Sequence, residues 1–266
     1  MRNRAVAAST SACVRRSWVV PVAFACLTAA PVNAQVRGYL GGAPLGYEVP
    51  PPPSTAPELA MDLDLVRALR AVPGSPEEDA AIGDAQAYKA PELVVRFGDT
   101  AHLPLNAQVR PILTYILSRA ILDIEGYAKI WKHVYPRPRP YVEDPAIQPC
   151  YTRYLNPQES YPSGHAANGM AAGLLVAEVI PTRRQALVAR GIRYGDSRVA
   201  CGVHHPSDVL QGRMLASAYV TRLLQDPGFK ADLECALTEQ RRAEQAEVMP
   251  PIPLEALPAR CAALHP

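Results

Sequence analysis

Residues 112–132 read ILTYILSRAILDIEGYAKIWK, and this run decides the fold class. Ile112, Tyr115 and Ile116, then Arg119 or Leu122, fall on successive turns of a 3.6-residue period. The spacing predicts one long helix ending near Lys132. Upstream, Ser75-Pro76-Glu77-Glu78 supplies an N-cap, a first-turn proline and two first-turn acids. Asp226-Pro227 opens a late helix in the same way, running towards Arg242. Further helices are predicted over 164–179, 183–195 and 207–224. No run alternates convincingly enough for a strand. The composition agrees: among 266 residues there are 42 Ala but only three Phe and two Trp, which suits closely packed helices better than a β-sandwich. The expected architecture is all-α, a single compact helical domain over 58–248.

The ends read differently. Residues 35–57 hold Gly41-Gly42 and four consecutive prolines, Pro50 to Pro53, and predict a flexible, extended arm outside the core. A shorter Pro-rich tail covers 249–266. In residues 1–34, Arg15 and Arg16 precede an apolar run from Trp18 to Ala30, and Val32-Asn33-Ala34 ends on small residues. This is the order of parts in a secretory signal peptide, and the apolar run falls short of the roughly 20 residues that span a bilayer. The protein is therefore expected in the periplasm or secreted, with no membrane contact after cleavage.

Charge narrows the function. The chain carries 27 Lys and Arg against 25 Asp and Glu, and residues 1–34 hold four of the Arg and no acid. Without them the balance is 23 to 25, so the body is not basic and a generic nucleic-acid binder is excluded. Cys13 and Cys26 would leave with the signal. Cys150, Cys201, Cys235 and Cys261 remain, an even number suited to an oxidising compartment. Four cysteines allow three pairings, and the residues do not choose among them. The expected pairs are Cys150 with Cys201 and Cys235 with Cys261. None has zinc-ligand spacing.

Three clusters carry chemistry. In Lys132-His133-Val134-Tyr135-Pro136-Arg137-Pro138-Arg139-Pro140, prolines force an extended path through Arg137 and Arg139 just after a helix end. Taken alone, it also reads as solvated basic residues or as a polyproline ligand. In Tyr161-Pro162-Ser163-Gly164-His165, Ser163 is a good N-cap, and Gly164 lets a ligand approach the free N–H groups of a helix start. The third cluster, 197–208, holds Arg198, His204 and Asp208. Four positions separate His204 from Asp208, so one turn brings the carboxylate to the ring, fixing its tautomer and freeing the other nitrogen.

Together and in this order, Lys-x6-Arg-Pro, Pro-Ser-Gly-His and Ser-Arg-x5-His-x3-Asp resemble the signature of the phosphatidic-acid-phosphatase type 2 and vanadium-haloperoxidase superfamily. The stretch from about Ala68 to Arg242 resembles its bacterial class A non-specific acid phosphatases, which are secreted and all-helical. Residues 160–165 and 195–202 are especially close to that branch. The resemblance implies that Lys132, Arg139, Ser163, the Gly164 amide and Arg198 bind phosphate. His204 would attack phosphorus, Asp208 would hold His204, and His165 would protonate the leaving oxygen. Three side-chain cations imply no metal and no cofactor. The substrates would be small-molecule phosphomonoesters, and homo-oligomers are common in the family. His205 stands where this branch often has tryptophan, and no role follows for it. His102, His133 and His265 fit no motif. The alternatives are a vanadate-dependent haloperoxidase on the same fold and a non-catalytic binding protein presenting the Pro-rich arm.

Overall fold

The computed structural model describes residues 36–245 and 259–264. The proposed signal peptide, His265 and most of the 249–266 tail lie outside the described residues. Eleven α-helices follow one another among the described residues: α1 Ala56–Leu69, α2 Pro76–Gln86, α3 Ala90–Val95, α4 Gly98–Ala101, α5 Pro111–Val134, α6 Pro140–Glu143, α7 Gly164–Val179, α8 Arg184–Ala200, α9 Pro206–Leu223, α10 Pro227–Gln245 and α11 Ala259–Ala262. The only β feature among the described residues is one isolated bridge, Arg137 to Glu159. The all-α expectation holds. Much of the proline excess starts helices: Pro57, Pro76, Pro91, Pro111, Pro140 and Pro206 each sit in a first turn, where a missing N–H costs nothing.

The Ala- and Gly-rich α7 is the central element, with thirteen of its sixteen residues buried. It packs against α8, α9 and α5. Small side chains let the backbones close in. At Gly212 of α9, a Cβ would fall 2.3 Å from the Ser163 carbonyl oxygen, so α9 presses directly on the start of α7. Helix α5 runs along the same core and buries Ile112, Ile116, Ile121 and Ile124. Its N-terminus has no local side-chain cap. Glu239 of α10 instead accepts hydrogen bonds from the Ile112 and Leu113 amides at 2.9 and 3.2 Å. One detail of the predicted stripe is corrected. Leu122 is 44 % exposed, because Leu117, Ala120, Ile121 and Ile124 define the inward face.

The arm is also corrected. Residues 36–53 are irregular, as expected, but they are not outside the core. Leu40 and Val49 are buried in the main apolar cluster. Asp123 of α5 accepts the amides of Tyr39, Leu40 and Gly41 at 2.7, 2.8 and 3.2 Å. The Arg119 guanidinium donates to the Arg37 carbonyl and lies 3.7 Å from the Tyr39 ring centroid. Backbone donors meeting a buried carboxylate hold the segment, which no hydrophobic pattern in the sequence announces.

Both expected cysteine pairs are present. Cys150–Cys201 spans 51 residues and Cys235–Cys261 spans 26. The second ties α11 to α10.

Candidate active site

The three clusters converge at the N-terminal end of α7. Lys132 lies in the last turn of α5, while Arg137 and Arg139 follow on the extended segment. Ser163 caps α7, accepting the Ala166 amide at 3.3 Å, and donates its own amide to the Asp208 carbonyl at 2.9 Å. Arg198 lies in the last turn of α8. Gly202, at φ 72°, takes the left-handed position that ends this helix. The chain then turns back, so the Val203 amide donates to the Arg198 carbonyl at 3.1 Å. His204 and Asp208 follow across the start of α9.

His204 is buried between a carboxylate and a guanidinium. Its Nδ1 is 3.3 Å from Asp208 Oδ2, and its Nε2 is 3.0 Å from Arg139 Nη1. The carboxylate and the guanidinium each permit one role: Nδ1 carries the proton, and Nε2 holds the lone pair. Burial, then the charge of Arg139, holds the His204 pKa well below its ordinary value. Asp208 is fully buried. Burial alone would raise its pKa, but hydrogen bonds from His204 and His205 and the charge of Arg137 hold it well below the usual carboxylate range.

His165 directs Nε2 at the Ala85 carbonyl, 3.1 Å away. A carbonyl only accepts, so Nε2–H is the donor and Nδ1 remains for chemistry. Its ring lies 4.5 Å from that of Tyr88. Burial, then the charge of Arg198, drives its pKa well down. Lys132 donates to the Glu159 carbonyl at 2.6 Å and the Ser160 carbonyl at 3.2 Å. Burial and the neighbouring Arg139 push its pKa down to about 7. Arg139 also donates to the Val203, Asn156 and Glu159 carbonyls. Arg198 differs from both. Its side chain is fully buried, and none of its three guanidinium nitrogens has a hydrogen-bond partner among the described residues. Burial pushes its pKa down to about 10.

All eight expected site residues therefore meet around one place. His165, His204, Lys132, Arg139 and Gly164 line a cleft of about 580 Å³. Five further side chains join them that the motifs did not assign. Arg137 bridges Asp208 Oδ1 at 2.7 Å and Asp62 at 2.8 Å, and Ser160 donates to Asp208 Oδ2 at 2.5 Å. Tyr88 and Glu125 line the cleft, and burial raises the Glu125 pKa. Ser160 and Arg137 stood inside the quoted motifs without a role. Asp62 and Glu125 look like ordinary helix-surface acids in the sequence.

His205 now has neighbours. It is the N-cap of α9, and its amide donates to Asp208 Oδ2 at 2.9 Å. Its ring sits between Asp208 Oδ2 and Glu143 Oε2, at 3.3 and 3.4 Å. His102 and His133 lie outside the cleft lining. Among the described residues, no group of three or more His, Cys, Asp or Glu side chains converges as a metal site. No described helix is long and apolar enough to cross a membrane.

Comparison with known proteins falls on the same residues. Residues 108–230, which contain all three clusters, match the PAP2 superfamily. An acid phosphatase of Zymomonas mobilis is 33% identical over 214 residues, covering 78% of this chain and 79% of its own length. A non-specific acid phosphatase of Salmonella typhimurium is 33% identical over 192 residues, 70% of this chain and 76% of its own. That of Providencia stuartii is 31% identical over 196 residues, 72% and 78%. The match of residues 108–230 and identities of 31–33% over most of the chain place the protein in the PAP2 superfamily, alongside the bacterial acid phosphatases.

Proposed function

We propose that this protein is a periplasmic or secreted acid phosphatase that hydrolyses a broad range of phosphomonoesters through a phosphohistidine on His204. The observation that carries the reading is Arg198. A fully buried guanidinium without a hydrogen-bond partner among the described residues is costly. It is explained if an anion with several oxygens docks against it. Lys132, Arg139 and the Ser163–Gly164 turn lie around the same point. Phosphoryl transfer spreads charge over equatorial oxygens, and fixed cations and amides stabilise that charge.

The steps follow from the hydrogen bonds. Asp208 holds the Nδ1–H of His204 and aims the Nε2 lone pair, which Arg139 releases as its guanidinium turns to the phosphate. Nε2 attacks phosphorus while the bond to the leaving oxygen breaks. His165 Nδ1 gives that oxygen a proton. Water then attacks the phosphohistidine, the N–P bond breaks, His165 takes the proton from water, and inorganic phosphate leaves. Burial favours the unprotonated, nucleophilic form of His204 as pH falls below the ordinary histidine range. Lys132 gains its full charge, and His165 its proton, only as pH falls. Both push the optimum to the acid side, about pH 5–6.5.

Lys132, Arg139 and Arg198 supply the positive charge that a metal ion would bring, so activity should survive chelation. The two disulfide pairs suit an exported protein. The direct test is a panel of alkyl, sugar and aryl phosphates assayed with and without EDTA. Phosphate release across the panel in both conditions is expected. Loss on chelation restored by a divalent ion, or halogenation with peroxide and vanadate in place of phosphate release, would overturn the reading.

A further inference from the structure

The rim of the cleft carries a residue that the chemistry above does not use. Tyr154 is 86 % exposed and has φ 65°. A bulky side chain in the left-handed region is an outlier, since the Cβ crowds the backbone there. An aromatic ring turned almost wholly to water gains nothing from burial either. The Leu155 amide donates to the Thr152 carbonyl at 3.0 Å and closes a turn that sets the φ of Tyr154, but that turn calls for no bulky, exposed ring.

One side chain nevertheless lies against the ring. The Arg153 guanidinium lies 4.7 Å from its centroid. The loop behind it is fastened at both ends. At one end stand the Cys150–Cys201 disulfide and the Cys150 amide, which donates to the Cys201 carbonyl at 2.9 Å. At the other, Arg139 donates to the Asn156 carbonyl at 2.8 Å. The residue that grips Nε2 of His204 thus also anchors the loop that presents Tyr154. Tyr154, Arg153 and Tyr151 line the same cleft as His204 and His165. Its volume of about 580 Å³ is in the range of pockets that hold drug-sized molecules.

We propose that Tyr154 is a specificity-determining residue, a stacking platform that selects phosphomonoesters whose leaving alcohol carries a planar ring, an aryl group or the base of a nucleoside. The proposal rests on the phosphatase reading above and adds the class of leaving group. One face of the phenol is covered by Arg153, and the other is open to stack on a flat group projecting from the phosphate site. Aliphatic leaving groups such as glycerol lack such a surface and gain nothing from the ring.

The test compares phenyl phosphate, a nucleoside monophosphate and glycerol phosphate on wild type, Tyr154→Asn and Tyr154→Phe. Asn tolerates the left-handed conformation and removes the ring, while Phe keeps it. Tyr154→Asn should lower kcat/KM about tenfold for the two ring substrates, mainly through KM. It should leave glycerol phosphate within about twofold, and Tyr154→Phe should retain wild-type selectivity. Loss on one ring substrate alone would confine the platform to that class. An equal loss on all three, or no loss on any, would overturn the proposal. So would a change in sedimentation without a change in selectivity, which would place Tyr154 in a contact between copies. If wild type hydrolyses none of the three, the phosphatase reading fails separately. The platform is then read by calorimetry: phenylphosphonate should bind wild type more tightly than methylphosphonate, and Tyr154→Asn should erase the difference. Equal binding of the two by wild type would overturn it.

Discussion

Replacing Arg198 by Met should make the ligand-free protein more stable and the enzyme inactive. The charged guanidinium is fully buried, and its pKa falls from 12.5 to about 10. At about 1.4 kcal/mol per pKa unit, this corresponds to about 3 kcal/mol held against the charged form at neutral pH. Met removes the charge at similar volume, and imperfect repacking should take back about 1 kcal/mol. A net gain of about 2 kcal/mol in a domain of this size raises Tm by about 4–8 °C. Scanning calorimetry in phosphate-free buffer reads this directly. Adding phosphate at about 100 times its Kd should stabilise wild type by about 2.7 kcal/mol and leave Arg198→Met unmoved. A variant that melts below wild type without phosphate, or that keeps the full phosphate shift, would refute the idea that Arg198 is a strained anion receptor.

Asp208→Asn should lower kcat by about 10³–10⁴-fold, by releasing the His204 tautomer. It should also destabilise the fold by about 3–5 kcal/mol, since Arg137 loses one of its two buried carboxylates; an active, stable variant would remove Asp208 from the site. Acid should weaken the phosphate-free protein. His165 and His204 have folded pKa values below the unfolded 6.5, so their contribution is complete above pH 6.5 and is lost as pH falls below it. Lys132 acts earlier, between 10.5 and about 7. In melts of wild type, His165→Gln and His204→Gln from pH 8 to 5, the variants should lose less stability than wild type, and an identical decline would count against the burial argument. The disulfides should separate. Chain entropy gives about 4 kcal/mol for the 51-residue span and about 3.5 kcal/mol for the 26-residue span. Removing Cys150–Cys201 should also raise KM through the loosened cleft rim, whereas removing Cys235–Cys261 should change only Tm.

The motif residues were legible because their chemistry is local. Ser163 caps the helix it begins, and Asp208 reaches His204 across one turn. Helix starts were legible because proline and a capping residue mark them. What escaped depends on partners distant in the chain. Asp62 becomes part of the site only because Arg137, 75 residues away, turns to it. Glu239 caps α5 from 127 positions beyond Ile112. The arm is held through its own amide groups against Asp123, and every residue but proline carries such a group, so nothing in the composition distinguishes it. The sign of the histidine shifts escaped for a similar reason. Asp208 favours protonated His204 and the nearby cations oppose it, but burial, the largest influence, sides with the cations, and burial is a property of the folded state.

The central claim is that His204 carries the phosphoryl group. Rapid quenching of the enzyme with radiolabelled nitrophenyl phosphate, followed by peptide mapping under alkaline conditions that preserve phosphohistidine, tests it most directly. The account predicts label on His204 in wild type and none in His204→Ala. It also predicts retained label in His165→Ala, since nitrophenolate leaves with little need of a proton. Label on His165, or label that persists in His204→Ala, would contradict it.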